Sequence, residues 1–373
     1  MSELPRVGVF TTTFLPYSQT FIHDELRFHT RYRAEVFTSW RANQASFPYE
    51  PVHCGGRIYK YLNLAPAFTR RLKRGFALVH AHFGVGGARA AGFARRAKLP
   101  LVITFHGYDV PLLTSLRRFT PEYWGYALTA RKTMMKAMTL GLCASEELRE
   151  MLLDYGVPAD RLRIWRLGID LEKFAPGARD AAQPSVVMIG RFVEKKGFEY
   201  GLRAFADQVA RGAAGHLTVI GDGEREARLK GIVAERGIGA RVTFTGAVPS
   251  AEVQRHLRSA DILMCPSVTG VDGDRESGLI VAKEASASQV VPLGTWHGGI
   301  HEIIDDGVTG FLVPERNVTA LSDRLGRLLS DAALRQRMGL AARAKMEREY
   351  DIRERLARLE EHYDEAIAMH AAR

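Results

Sequence analysis

Along the first half of the chain, short apolar or β-branched runs alternate with longer segments whose apolar residues recur every three or four positions. Residues 7–12, 35–38, 78–81, 101–105, 139–144 and 162–167 have the length and composition of buried strands. Helical periodicity occupies about 20–29 and 86–97. Near-continuous apolar strands with a helix between successive members build parallel sheets covered on both faces.

Periodicity lapses over 174–184, where Pro176, Gly177, Asp180 and Pro184 read as a linker. The alternation then resumes, with strands predicted at 185–189, 217–220, 242–245, 262–265, 290–293 and 310–312. Helices are predicted between them at 197–211, 225–236, 251–260 and about 278–286. The pattern predicts an α/β protein of two doubly wound, Rossmann-like domains, residues 1–174 and 175–351, facing across a cleft. After Asp331 the chain is helical and charged, and Leu356, Leu359, Tyr363 and Ile367 give a last helix, about 352–373, one apolar face.

Composition narrows the class. With 46% hydrophobic and 25% charged residues in 373, disorder and fibrous repeats are excluded. No apolar run reaches the roughly 18 to 20 residues of a spanning helix, and residues 1–12 lack the features of a signal peptide, so a cytoplasmic location is expected. Cys54, Cys143 and Cys265 lie far apart without zinc spacing and read as ordinary thiols. The net charge of +10 is lopsided: residues 1–175 hold 25 Lys and Arg against 14 Asp and Glu (+11), and residues 176–373 hold 27 against 28 (−1). A basic first half suits an anionic surface. Two basic amphipathic stretches, Arg70, Arg71, Lys73 and Arg74 with Phe68, Leu72 and Phe76, and Arg117, Arg118, Arg131, Lys132 and Lys136, suggest peripheral contact with the inner face of a membrane. No nucleic-acid motif or aromatic stacking platform accompanies the charge, so no nucleic-acid partner is expected.

The candidate chemistry lies where strands feed helices. Neither Gly84-Val85-Gly86 nor Gly221-Asp222-Gly223 completes a dinucleotide fingerprint, which argues against hydride transfer. Glu276 and Glu284 stand eight residues apart around Ser277, Gly278, Leu279 and Ile280. On one helix they would be about 12 Å apart, suiting two ends of an extended ligand, with the N–H groups of 278–280 free to seat a phosphate. Gly190-Arg191 and Lys196-Gly197 follow a strand, where Arg191 and Lys196 would neutralise a diphosphate. The Gly221–Gly223 turn and the 245–249 loop, with Val248, would bring backbone to a nucleobase or cleft edge. Gly298-Gly299 precedes Glu302 in a further loop. In the first half, His106 and Asp109 end a strand, His106 able to donate to a hydroxyl or reacting oxygen and Asp109 to orient a partner. His80 and His82 share a strand face without an evident third ligand, so no metal is assigned.

Taken in order, these motifs resemble the retaining GT-B glycosyltransferases of family 4, in the branch that builds bacterial exopolysaccharides of the colanic-acid type. The resemblance rests on Ser18-Gln19-Thr20-Phe21-Ile22-His23-Asp24-Glu25, His80-Ala81-His82-Phe83-Gly84, His106-Gly107-Tyr108-Asp109 and Arg166-Leu167-Gly168-Ile169-Asp170 in the first half. In the second it rests on the Gly190–Gly197 stretch, Gly221-Asp222-Gly223, the paired glutamates and Gly298-Gly299 with Glu302. Three positions differ: Pro16-Tyr17-Ser18-Gln19 replaces a glycine pair, Ser277 and Ile280 replace glycine and proline, and Gln289 replaces a glycine.

The resemblance implies a GT-B fold, with the last helix returning to the N-terminal domain. It implies a nucleotide-diphosphate sugar as co-substrate, no cofactor or metal, and a glycan or lipid-linked saccharide as acceptor. Arg191 and Lys196 would stabilise the diphosphate, Glu284 would bind the ribose, Glu276 would contact the donor sugar and His106 would sit beside it. Gly190, Gly221, Asp222, Gly223, Val248, Ser277, Gly278, Leu279 and Ile280 would complete the donor site, and Ser18, Gln19, His82 and Asp109 the acceptor side. With no obvious nucleophile, front-face transfer is expected, the leaving phosphate assisting the acceptor's deprotonation. The competing readings are a nucleotide-sugar epimerase of the same fold and a non-catalytic nucleotide-sugar or glycan binding module.

Overall fold

The computed structural model describes residues 3–16, 19–115, 120, 123–179, 183–271 and 273–373, without the side chain of Arg131. The chain divides into two compact units, Met1–Gly168 with Ile352–Arg373, and Ile169–Asp351.

The first unit is built on a seven-stranded sheet of order β3-β2-β1-β4-β5-β6-β7. Its strands are β1 Arg6–Phe10, β2 Arg33–Thr38, β3 Val52–Cys54, β4 Phe76–His82, β5 Leu101–Phe105, β6 Leu140–Cys143 and β7 Leu162–Ile164, and every pairing is parallel. The order reverses between β1 and β4, the position in open parallel sheets where ligands bind beyond the strands' carboxyl ends. A cluster of Phe10, Phe37, Tyr59, Phe68 and Phe93 fills one face, each ring contributing roughly 1.5 to 3 kcal/mol by leaving water. The helix predicted from 86 begins three residues earlier, at Phe83. Its glycines serve packing: a Cβ on Gly84 would sit 2.2 Å from the Tyr126 hydroxyl, and one on Gly87 2.5 Å from Ile103.

The C-terminal helix, Ile352–Ala371, belongs to this unit. Leu356, Leu359 and Tyr363 of the predicted stripe are buried, while Ile367 is half-buried. The helix is pinned through the Glu360 carboxylate, which accepts from the N–H groups of Thr30 (2.9 Å) and Arg31 (3.0 Å), from the Thr30 hydroxyl (3.1 Å) and from His29 Nδ1 (3.1 Å). Burial alone would raise that carboxyl's pKa, but His29 and the two N–H groups bring it down to about 2.

The second unit repeats the plan. Its strands are β8 Ser185–Ile189, β9 His216–Ile220, β10 Val242–Gly246, β11 Ile262–Cys265, β12 Val291–Thr295 and β13 Phe311–Val313. They form a parallel sheet of order β10-β9-β8-β11-β12-β13, reversing between β8 and β11. Residues 169–174, which the sequence pattern assigns to the first domain, lie in the second unit. Ile169, Leu171 and Phe174 are buried there with Val187, Leu263 and Tyr350. All three cysteines are free thiols.

Candidate functional site

In the second unit, the loops leaving β8 and β11 meet at the point where the strand order reverses. Val268 N–H donates to the Lys195 carbonyl (2.8 Å), tying the two loops together. Gly197 adopts φ +63°, and a Cβ there would lie 1.9 Å from the Pro266 carbonyl oxygen, so only glycine permits this approach. The turn aims both lysines at one carboxylate: Lys196 Nζ lies 3.1 Å from Glu276 Oε2, and Lys195 Nζ 3.5 Å from Glu276 Oε1 and 3.0 Å from Asp274 Oδ1. Burial would raise the Glu276 pKa, yet Lys196 and then Lys195 outweigh it and hold it at about 2. The carboxylate is therefore ionised throughout the physiological range.

A second chain of contacts fixes the Glu276 backbone. Glu276 N–H donates to His297 Nε2 (3.0 Å), so His297 carries its proton on Nδ1 and donates it to Glu315 Oε1 (2.6 Å). Glu315 also accepts from Thr269 N–H (2.8 Å) and its hydroxyl (3.2 Å). Lys195, Asp274, His297 and Glu315 were not among the residues singled out by sequence. His297 stands immediately before the flagged Gly298-Gly299 pair, which was the available signal; Glu315 had none. Gly299 precedes a short helix, Ile300–Ile303, on which Glu302 is half-buried.

The predicted helix carrying both glutamates is corrected. The helix spans Ile280–Ala287, so Glu276 lies in the loop before it and the two-turn spacing does not apply. Glu284 sits half-buried on the helix. Ser277 and Gly278 lie in the approach, and Leu279, the N-cap residue, offers no side-chain acceptor, so the first-turn N–H groups have none from that position. Gly190, Gly221 and Gly223 do converge: Gly190 N–H donates to the Ile220 carbonyl (3.0 Å), and Phe192 N–H to the Asp222 carbonyl (2.6 Å). A Cβ on Gly221 would lie 1.9 Å from the Gly190 carbonyl oxygen, and one on Gly190 3.3 Å from Lys196 Cε. Gly221 N–H reaches the Gly246 carbonyl (2.9 Å), joining the loop that holds half-buried Val248. Arg191 is exposed.

In the first unit, His106 follows β5 and is half-buried between the rings of Phe21 (5.0 Å) and Phe83 (4.6 Å). His82, at the end of β4, is fully buried and its Nδ1 lies 3.0 Å from His106 Nε2. Asp109 is also fully buried: its carboxylate accepts from Gly84 N–H (2.7 Å) and Gly107 N–H (2.9 Å). Burial raises its pKa against those two bonds. The side chains of His82 and Asp109, which the sequence assigns to the acceptor side, are buried against neighbours within the unit. Gln19 is half-buried near the helix Phe21–Arg27, and Ser18 lies outside the described residues. The fold also supplies the third group that sequence did not show beside His80 and His82. Glu25, from that helix, brings an oxygen into a set of three ligand-type atoms within 4.8 Å. His80, however, is committed on both sides, Nε2 to the Thr104 hydroxyl (2.8 Å) and Nδ1 to the Tyr363 hydroxyl (2.7 Å).

Residues 170–345 match the model for glycosyl transferases group 1, and residues 20–173 match that for glycosyltransferase family 4. The chain is 33% identical over 294 residues to the amylovoran biosynthesis glycosyltransferase AmsK of Erwinia amylovora, covering 77% of this chain and 70% of that protein. It belongs to the family 4 glycosyltransferases. This glycosyltransferase is also 32% identical to the putative colanic acid biosynthesis glycosyltransferase WcaL of Escherichia coli, over 66% of its own length and 59% of that protein's. The GT-B fold is shared with sucrose-phosphate synthase from Thermosynechococcus elongatus, at TM-score 0.77 and 20% identity over 98% of this chain and all of the other. It is shared likewise with Anabaena HepE in complex with UDP-glucose, at TM-score 0.74 and 17% identity over 95% and 98% of the two chains.

Proposed function

We propose that this glycosyltransferase moves a hexose, with retention of anomeric configuration, from a nucleotide-diphosphate sugar to a glycan or lipid-linked saccharide acceptor in exopolysaccharide synthesis. The observation that carries the reading is the ionised Glu276 held by Lys195 and Lys196 at the strand reversal of the second sheet. The relatives AmsK and WcaL, named for amylovoran and colanic acid biosynthesis, support the class of product, and the UDP-glucose complex of HepE supports the class of donor.

In this reading the lysines are pre-neutralised. A diphosphate, carrying more charge than one carboxylate, competes for Lys196 and releases Glu276 to accept from sugar hydroxyls. Arg191, exposed on the same loop, adds a bidentate cation, and the first turn of the Ile280–Ala287 helix adds N–H donors. Glu284 binds the ribose, and the glycines at 190, 221 and 223 admit the nucleotide close to backbone. As the bond to the anomeric carbon breaks, negative charge grows on the diphosphate and is met by groups already in place. Side chains and N–H groups carry that charge without a metal or cofactor. The leaving phosphate takes the acceptor's proton on the same face, and His106 contacts the transferred sugar through a hydroxyl.

We place the membrane contact differently from the sequence expectation. Phe68, Leu72 and Phe76 are buried in the core and Arg71 is bound by Glu35 (2.9 Å), so that stretch has no apolar face for lipid. In the second stretch Arg117 and Arg118 lie outside the described residues. The preceding helix, Gly56–Leu62, instead exposes Ile58, Tyr61 and Leu62, followed by Leu64, beside Arg57 and Lys60. No helix of the described residues is long and apolar enough to cross a membrane, and this exposed patch is the proposed site of peripheral attachment.

Incubating the purified chain with UDP-, GDP- and ADP-hexoses and a lipid-linked saccharide, followed by NMR of the product's anomeric coupling, tests the reaction. Retained configuration supports the proposal. An inverted product overturns the mechanism, and donor binding without nucleotide release would make the protein a binding module.

A further inference from the structure

Three buried groups lead from the interior of the first unit to His106, and their hydrogen-bonding needs fit together in one way. Glu25 is 2% exposed, and neither of its carboxylate oxygens accepts a hydrogen bond from the described residues. Oε1 lies 3.3 Å from His82 Nε2 and 3.6 Å from His80 Nδ1. A buried carboxylate without a donor costs on the order of several kcal/mol, so one neighbouring ring must supply a proton.

His80 does not supply it. Its Nδ1 and Nε2 are occupied by the Tyr363 and Thr104 hydroxyls, and burial, then the neighbouring His82, hold its pKa well below the usual histidine value. That leaves His82, whose Nε2 lies 3.3 Å from Glu25 Oε1 and, like that oxygen, makes no hydrogen bond among the described residues. A proton on His82 Nε2 directed at Glu25 makes the neutral ring's Nδ1 an acceptor. The group 3.0 Å from that Nδ1 is His106 Nε2, and the two rings are 18° from coplanar, as an in-plane N–H···N bond requires.

We propose that Glu25 and His82 are positioning residues that lock His106 in its Nε2–H tautomer, so that Nδ1, a buried atom of this half-buried ring, is left as the acceptor for a hydroxyl of the sugar. The logic is that of a buried carboxylate fixing a catalytic imidazole's tautomer, extended by one histidine. It rests on the reading that His106 contacts the transferred sugar. It narrows that reading, because the sequence alone left His106 free to act as a donor. It also gives the Glu25, His80 and His82 group a role as a hydrogen-bonded network and not as a cation site.

The test uses the full chain with ring-15N histidine. Long-range 15N–1H correlation is expected to show His106 protonated on Nε2 in the wild type, and a mixed or reversed tautomer in Glu25→Gln. With UDP-glucose, UDP-galactose and GDP-mannose as donors, Glu25→Gln should lower kcat at least ~10-fold while the donor KM stays within about twofold. Glu25→Asp should recover part of the loss, and Glu25→Gln should add little in a His106→Ala background. A His106 protonated on Nδ1 in the wild type overturns the proposal even if every variant misfolds. So does a folded Glu25→Gln variant with wild-type kcat, or one equivalent of zinc retained by the purified protein through EDTA dialysis. Full activity in His106→Ala would instead refute the role of His106 in transfer, leaving the tautomer measurement to judge the network.

Discussion

Replacing Glu276 by Gln keeps its shape and removes the charge that two lysines share. The interval between the ordinary carboxyl value of 4.5 and the native value of about 2 corresponds to roughly 3 kcal/mol of stabilisation at neutral pH. The sign follows from the depressed native value. The contribution is complete above about 4.5, declines as pH falls toward 2, and is absent from Glu276→Gln. At roughly 2 to 4 °C per kcal/mol for a unit of this size, the variant's transition should fall by roughly 6 to 12 °C at pH 7. The difference from wild type should shrink on acidification. Lys196 would then lack its carboxylate and Lys195 would keep only that of Asp274, so UDP or GDP should raise the variant's melting temperature more than the wild type's, while transfer is lost. Differential scanning calorimetry from pH 3 to 8, with and without UDP, measures the melting shifts, and a nucleotide-release assay measures the loss of transfer. A variant melting within about 1 °C of wild type at pH 7, or one that UDP stabilises less, refutes the idea that the lysines are held by Glu276 until donor arrives.

Glu360→Ala should free the C-terminal helix, because four hydrogen bonds end on that carboxylate. A loss of roughly 3 kcal/mol and faster hydrogen exchange across residues 352–371 are expected, and unchanged exchange would contradict it. Gly197→Ala places a Cβ against the Pro266 carbonyl at φ +63°, so a loss of about 2 kcal/mol or more and weakened nucleotide binding should appear in urea unfolding and calorimetry. Ile58→Asp combined with Leu62→Asp should abolish flotation with vesicles containing 30% (about one lipid in three) phosphatidylglycerol at low salt. Equal flotation of wild type and variant would remove the exposed patch as the attachment site.

The sheets were legible because buried parallel strands are written as apolar blocks, and this alternation located twelve of the thirteen strands among the described residues. The exception, Val52–Cys54, is a three-residue edge strand with His53 at its centre, Pro51 and Gly55 on either side and no buried residue, so no apolar run marks it. The domain boundary was placed at the composition change near 174, whereas Ile169, Leu171 and Phe174 follow the core they pack into. At the site, Lys196, Glu276 and the glycines at 190, 221 and 223 were visible as loop chemistry at strand ends. Contacts between residues distant in sequence left no local spacing to read. Lys195 looked like any loop cation until Asp274 and Glu276 were brought to it. His297 and Glu315 act on the Glu276 backbone through contacts that no local spacing encodes. Glu25 joins the histidines only because the fold brings the helix after β1 to within side-chain reach of His80 and His82.

Titration calorimetry of Lys196→Ala against wild type, with UDP and GDP as ligands, bears most directly on the claim that the second unit's strand reversal is the donor-diphosphate seat. A charge-assisted contact contributes roughly 1.5 to 3 kcal/mol, so the nucleotide Kd should rise about 10- to 100-fold while circular dichroism stays that of the folded protein. A folded variant that binds both nucleotides with wild-type Kd would contradict the account.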